Sequence, residues 1–305
     1  MPYRILTDSD LADVLQMSDA VACMEDAFRQ KAASELVAPG RMTCQLQAGQ
    51  LVFTAGATQG ADPVVGFRVY DMKQLHSPDR DEITAVFSGK NGALRGLVIG
   101  TDLGAVRTGA IGGVAVKYLA RSNAKVLGMI GTGFQARTQL QAASSVRDFE
   151  TIKVYSRNSE RRKQFADEMG QRLNRKIHTV DSSEQATRDA DVLIASTTSS
   201  RPLVEADWLK PGVHIQNVGP KFKDRHEFSL DVAERAQRRV TDSPAQMEAY
   251  GEQFILQGTK LVDSVVDLAE IVTGTVPGRD SEEEITLFYS LGLAGTEVLL
   301  ADSLF

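Results

Sequence analysis

Residues 125–137 read Lys-Val-Leu-Gly-Met-Ile-Gly-Thr-Gly-Phe-Gln-Ala-Arg. A short apolar run ends in Gly131-x-Gly133-x-x-Ala136, and the segment after it is able to continue as a helix. This is a shape for holding a pyrophosphate. Gly131 permits a tight turn out of a strand, Gly133 lets the backbone approach phosphates, and Ala136 is small enough for the helix to pack on the sheet. The first helical turn then aims free N–H groups and a partial positive charge at the anion. Thr132, Phe134 and Gln135 complete the turn. The competing reading is a glycine-rich turn with no ligand, and the strands and helices around it decide between the two.

Downstream, apolar runs alternate with helical patterns. Strands are expected at residues 126–130, 151–155, 176–180, 191–195, 214–218 and 239–241, with helices at 134–145, 160–173 and 183–188. Such alternation implies a doubly wound parallel sheet. Upstream, residues 108–120 are rich in Ala and Gly and read as a closely packed helix leading into this unit. The first hundred residues differ. Ser18 reads as an N-cap before Val21, Met24, Ala27 and Phe28 at helical spacing. Strand-like stretches follow at 42–53, 64–70, 82–87 and 97–99, with a hairpin signal at Asn91-Gly92. A helix followed by an antiparallel sheet is the expectation there. Residues 285–300, rich in Leu, Ala and Gly, read as helical. The fold class is therefore α/β, a doubly wound parallel sheet plus a second α+β domain.

The bulk properties narrow the function classes. The chain has 305 residues, enough for two domains that each bury a core. Its net charge of -6 gives no sign of a nucleic-acid partner. Two cysteines, Cys23 and Cys44, cannot form a disulfide framework and have no metal-ligand spacing. No apolar run is long enough to cross a bilayer and no signal region opens the chain, so a cytoplasmic setting without membrane partners is expected. His178, His214 and His226 fall in no metal-site pattern, so no metal is expected.

The end of the second strand bears on the dinucleotide. An Asp or Glu usually stands about 20 residues beyond the glycines to bind ribose hydroxyls. Here the sequence is Tyr155-Ser156-Arg157-Asn158, with Arg161 and Arg162 close behind. Ser156 can donate to a phosphate, and Arg157 and Arg161 can pair with one. The reading is a 2′-phosphate pocket and hence NADP(H), with NAD(H) as the alternative. A solvated basic helix start is the bland explanation. Thr197 and Thr198 follow the fourth strand, where a loop at the carboxyl end of a parallel strand touches cofactor or is plain turn chemistry.

Arg107-Thr-Gly-Ala-Ile-Gly-Gly-Val-Ala-Val-Lys-Tyr-Leu-Ala-Arg121, followed at this spacing by Gly131-Thr-Gly-Phe-Gln-Ala136, resembles the ornithine cyclodeaminase/mu-crystallin family. Val218-Gly219, Glu227 in Arg225-His-Glu-Phe, and Leu287-Phe-Tyr-Ser-Leu-Gly-Leu-Ala294 extend the resemblance over nearly the whole chain. It implies a homodimer with a Rossmann domain at 116–292. A substrate and dimerisation domain at 1–115 would be completed by 293–305. It also implies hydride transfer at the α carbon of an amino or imino acid. Thr108, Val218, Ser290 and Gly292 join the cofactor residues by resemblance. Arg41, Arg107 and Arg68 would hold the substrate carboxylate, and a guanidinium suits that role because it grips a planar carboxylate at two points.

Two departures from the family pattern matter. Arg68 stands where most relatives carry Lys, and an arginine clamps and polarises but is a poor acid. Lys221 falls where cyclodeaminases place an acidic residue, which disfavours classical cyclodeamination. Arg41, Arg68, Arg107 and Lys221 exceed the cations that one carboxylate needs, and unpaired buried cations are costly. The expectation is an oxidoreductase, an imine reductase or amino-acid dehydrogenase, acting on the C–N bond of a small imino or amino acid, with a dicarboxylic substrate such as iminosuccinate among the candidates. Lys221 would be a second carboxylate ligand or the proton donor. His76, beyond the Arg68 strand, is a further candidate for proton transfer. The alternatives are a cyclic ketimine (pyrroline-carboxylate) reductase, a cyclodeaminase or dehydratase, and a non-catalytic NADP-binding protein.

Overall fold

The computed structural model describes residues 3–45, 47, 49–71, 77 and 80–305. The chain divides into two units, Met1–Arg107 with Gly292–Phe305, and Thr108–Leu291.

The first unit is built on a seven-stranded sheet of β1 (Arg4–Thr7), β2 (Leu36–Val37), β3 (Met42–Gln45), β4 (Gln50–Thr58), β5 (Val64–Asp71), β6 (Ile83–Ser88) and β7 (Leu94–Ile99). Strands β4 to β7 form an antiparallel meander, and β2 and β3 both pair antiparallel with β4. Gly92 turns the β6–β7 hairpin with φ +71°. The expected all-antiparallel sheet is incomplete, because β1 precedes the first helix and pairs parallel with β7. The helix Met17–Ala32 starts at Gln16, whose extended backbone makes it the N-cap, so Ser18 lies inside the first turn.

Period-two alternation separates the two faces of this sheet. On one face the cross-strand partners Gly56, Gly66, Val86 and Gly96 form a row. The C-terminal helix Thr296–Asp302 and the residues flanking it lie along that row. A Cβ on Gly56 would meet the Gly295 backbone, one on Gly66 the Val298 side chain, and one on Gly96 the Phe305 ring. Bare backbone at these positions lets the helix approach, and that approach puts Glu297 beside Arg68, one alternation along β5 from Gly66. The opposite face is apolar and open: Ile5, Met42, Val65, Phe67 and Ile83 are each 38–58% exposed.

The second unit is built on an eight-stranded sheet of β8 (Val126–Ile130), β9 (Thr151–Tyr155), β10 (Ile177–Thr179), β11 (Val192–Ala195), β12 (His214–Asn217), β15 (Arg238–Thr241), β16 (Val265–Asp267) and β17 (Thr286–Tyr289). A separate hairpin joins β13 (Lys221–Phe222) to β14 (Arg225–His226). The sheet order is β10-β9-β8-β11-β12-β17-β15-β16 with every pair parallel. The order reverses direction between β8 and β11, the position at which doubly wound sheets open a crevice at their carboxyl edge. Leu127, Met129 and Ile194 pack into the core on one face, and Ile130, Leu193 and Ile215 into the core on the other. Burial on both faces explains why these strands read as unbroken apolar runs. Asp191 anchors the start of β8 by accepting from the N–H groups of Lys125 and Val126 at 2.7 and 2.8 Å.

The tail is the clearest departure from expectation. Residues 286–289 are the fully buried strand β17, inserted between β12 and β15, and only Thr296–Asp302 is helical. A short apolar run has no periodicity to distinguish a buried strand from a buried helix.

A ladder of polar side chains is buried in this unit. His214 bonds Thr286 Oγ1 at 2.8 Å and Gln216 Oε1 at 3.3 Å. Gln216 donates to Gln139 Oε1 at 3.0 Å, and Gln139 donates to the Thr108 carbonyl at 3.1 Å. A Cβ on Gly112 would lie 2.2 Å from Gln139 Oε1, so the glycine-rich part of helix Asp102–Leu119 packs closely here.

Candidate active site

In the second unit the turn after β8 has the backbone that the glycines suggest. Gly131 adopts φ +111°, and a Cβ there would sit 2.2 Å from the Ser196 carbonyl oxygen. Its N–H donates to the Tyr155 carbonyl at 2.9 Å. Gly133 is the N-cap of helix Phe134–Val146, no side chain caps that helix, and a Cβ on Gly133 would point into open space. The opening N–H groups of the helix are therefore available to an anion. Ala136 is fully buried. Arg137, paired with Glu168, donates to the carbonyls of Thr132 and Gly133 at 3.1 and 3.0 Å and holds the turn from behind. Phe134 is exposed, while Thr132 and Gln135 are half-buried.

At the end of β9, Ser156 is half-buried, and Arg157, Asn158 and Arg161 are exposed. Asn158 has a local role: its side chain accepts from the Arg161 N–H at 2.9 Å and caps the helix Ser159–Leu173. Arg162 bonds the Ser156 carbonyl and pairs with Asp181. Among the described residues no ion pair engages the guanidinium of Arg157 or Arg161.

The carboxyl ends of β11, β12 and β17 are sewn together by two buried charges. Glu227 accepts from the Thr197 N–H and hydroxyl at 2.6 and 2.8 Å, from Asn217 Nδ2 at 2.6 Å and from the Gly219 N–H at 2.7 Å. The Lys221 ammonium donates to the carbonyls of Val218 at 3.1 Å and Ser290 at 2.7 Å. Sequence reasoning used Glu227 only as a landmark, whereas here it is the acceptor that orders the loop bearing Thr197. Thr198 is exposed beside it.

The first unit gathers the arginines. Arg41 donates to the Gly292 carbonyl at 3.2 Å, and a Cβ on Gly292 would lie 2.5 Å from Arg41 and 3.3 Å from Arg107. Arg107 is 4% exposed and pairs with Glu297 Oε1. Arg68 donates to the same oxygen at 2.9 Å and, through Nε and Nη2, to Glu82 Oε2. Its guanidinium stacks 4.4 Å from the Tyr70 ring centroid. Arg80, its side chain nearly buried, pairs with Glu82 Oε1 at 3.2 Å. Burial alone would raise the Glu297 carboxyl, but the Arg107 and Arg68 guanidiniums outweigh it and hold the group at about 2. Burial works against Arg68 as well, and Glu297 and Glu82 still hold it above its ordinary value.

These pairings change the charge count on which a dicarboxylic substrate was expected. Glu82 and Glu297 offset part of the charge of Arg68, Arg80 and Arg107, so these three are not wholly unmatched cations. Neither glutamate was singled out from the sequence. Glu82 sits 14 positions from Arg68, and Glu297 is 190 from Arg107, beyond any local spacing rule. His76 lies outside the described residues. Among the described residues no cluster of metal-ligating side chains occurs, and no helix is long and apolar enough to cross a membrane.

Residues 3–304 match the model of the ornithine cyclodeaminase/mu-crystallin family. An alanine dehydrogenase from Archaeoglobus fulgidus is 30% identical over 317 residues, covering 99% of this chain and 94% of that protein. The solved Thermococcus litoralis Delta(1)-pyrroline-2-carboxylate reductase, in complex with NADH and L-proline, superposes with a TM-score of 0.85 at 32% identity, covering 98% of this chain and 95% of that one. The iminosuccinate reductase of Paracoccus denitrificans, in complex with NAD+, superposes with a TM-score of 0.87 at 26% identity over 98% and 94% of the two chains. These relatives are nicotinamide-dependent oxidoreductases of imino or amino acids, or carry names of that kind.

Proposed function

The chain belongs to the ornithine cyclodeaminase/mu-crystallin family, and from that premise we propose that it is an NAD(P)H-dependent oxidoreductase acting on the C–N bond of a small 2-imino or 2-amino acid. The observation that carries the reading is the convergence of Arg41 and Arg107 on Gly292 in the first unit, beside a buried, ionised Glu297.

The residues of the second unit fit a dinucleotide. Gly131 to Gln135 offer an uncapped helix start and a position at Gly133 with no obstruction, which suits a pyrophosphate. Thr108, Thr197, Thr198, Val218 and Ser290 are proposed to line the rest of the cofactor site. When bound, the nicotinamide supplies or accepts the hydride. The exposed Arg157 and Arg161, with Ser156 and no carboxylate at the strand end, support a 2′-phosphate and therefore NADP(H). The ratio of kcat/KM for NADPH and NADH tests this, and a tenfold preference for NADH overturns it.

Arg41 and Arg107 take the substrate carboxylate and so fix the α carbon. Arg68 is a fixed charge locked between Glu82 and Glu297, not a mobile proton donor. The carboxylates inside the cluster offset part of its positive charge, which leaves a substrate with one carboxylate a reading as natural as one with two. A cyclic imino acid such as Δ1-pyrroline-2-carboxylate fits that balance, and so does the imine of a short 2-oxo acid. For a dicarboxylic substrate, Arg80 is the candidate in the same unit for the second carboxylate, and Lys221 is proposed separately as a catalytic residue. The deciding experiment is NADPH oxidation with a panel of cyclic imines and of 2-oxo acids with ammonia or methylamine. Activity confined to oxaloacetate with ammonia would restore the dicarboxylic reading, and no oxidation with any member would remove the function proposed.

The open apolar face of the first unit supports a second copy of the chain as its partner. Light scattering should give the mass of a dimer, and Phe67→Glu should give the mass of a monomer.

A further inference from the structure

The buried carboxylate of Glu297 is half used. Its Oε1 accepts from both Arg68 and Arg107, while its Oε2 is buried and has no hydrogen-bond partner. The residue is 1% exposed and held ionised. An ionised oxygen without a donor in a dry site is costly, and buried polar atoms of this kind ordinarily find one. The neighbouring side chains do supply donors, but they converge on the other oxygen.

Resting on the functional reading above, we propose that Glu297 Oε2 accepts the N–H of the substrate, the iminium in reduction and the amine in oxidation. The chemistry of a 2-imino acid suits this place. Its nitrogen and its carboxylate sit on adjacent carbons, so guanidiniums that hold the acid bring the N–H close to the carboxylate between them. Arg68 cannot do this work, because a guanidinium only donates and its charge repels an iminium. Glu297 supplies the acceptor and the opposite charge, and it makes a general acid unnecessary in the hydride step. The nitrogen already carries its proton. The α carbon would receive the hydride, the C=N π pair would retire to nitrogen, and a bound dihydronicotinamide would supply the hydride, leaving the oxidised pyridinium form. The neutral amine then takes a proton from solvent. The same contact sets specificity, since a 2-oxo or carbocyclic acid has no N–H to offer.

The test compares ligands that differ only at the nitrogen, in the full-length protein. Calorimetric affinities are measured for L-proline against cyclopentanecarboxylate and for L-alanine against 2-methylpropanoate. The wild type should favour each amino acid at least tenfold. Glu297→Gln should lower the affinity for each amino acid at least tenfold more than that for its carbon acid, and should lower kcat/KM for the imine at least 100-fold. Glu297→Asp, which keeps the charge, should retain part of the preference and guards against a folding defect in the first variant. Equal wild-type affinity within each pair, binding of neither pair, or a variant that loses amino acid and carbon acid alike would overturn the proposal. The last result would mean that Glu297 only supports the arginines. If the preference holds but no imine in the panel is reduced, the functional reading falls and the contact stands.

Discussion

The two units present positive charge in opposite ways. The second presents backbone: a positive-φ glycine, an unobstructed second glycine and an uncapped helix start, with Glu227 and Lys221 turned inward to tie strand ends together. The first presents side chains: guanidiniums from Arg41, Arg68 and Arg107, held by Glu82 and Glu297. A backbone cradle carries only partial charges and needs no counter-ions. A cluster of full charges away from water does need them, so the first unit must bury carboxylates to keep its arginines in place.

The sharpest way to break that contrast is to remove one charge. Arg107→Ala leaves Glu297 with one fewer guanidinium in a dry site, and losing one partner of a buried pair costs about 3–5 kcal/mol. We expect a large fall in thermal stability and at least a thousandfold loss of kcat/KM. A small change in unfolding temperature would mean that the cluster is not what holds this part of the first unit.

The glycines of the second unit separate folding from binding. Gly131→Ala forces a side chain into a positive-φ position against the Ser196 carbonyl, at a cost of about 1–3 kcal/mol. It should lower both stability and dinucleotide affinity. Gly133→Ala meets nothing in the protein and should leave the unfolding temperature within a degree or two, yet weaken the dinucleotide at least tenfold by fluorescence titration. Equal losses of stability in both variants would contradict the assignment of Gly133 to ligand approach.

Lys221 tests whether an inward-facing charge in the second unit matters to chemistry. Lys221→Ala releases the carbonyls of Val218 and Ser290 and should lower kcat/KM at least tenfold. An unchanged value would leave Lys221 with a packing role alone.

The smallest expected effect is a difference in acid response. Burial, with Arg279 and Arg147 nearby, holds His214 down at about 3 against an ordinary 6.5. The unfolded chain therefore binds the proton more tightly, so the stability contributed is complete above pH 6.5 and is lost as pH falls towards 3. Glu297, held at about 2 against an ordinary 4.5, contributes above 4.5 and loses its contribution as pH falls to 2. Amide exchange should show the second unit weakening first on acidification, and His214→Gln should flatten that upper window.

Much of the second unit could be read from the chain because its signals are short in sequence. The turn at 131–136 occupies six positions, and alternating strands and helices announce the sheet. The tail misled because β17 is buried on both faces, and a run of four residues carries no period. In the first unit the arginines were legible as types, but not their state. Reading Arg68 and Arg107 as surplus charge leaves out their carboxylate partners, which arrive from the residue just before β6 and from the last helix.

By itself, the order of residues determined the α/β class, the dinucleotide turn and the set of candidate cations, because glycine spacing, apolar periodicity and side-chain chemistry are local properties. Tertiary structure decided which cations are already answered and which oxygen is left without a donor. The row Gly56, Gly66 and Gly96 lets the last helix settle on the sheet and sets Glu297 against Arg68 and Arg107. Coulomb pairing depends on distance in space, and no spacing along the chain encodes a meeting of residues 190 positions apart.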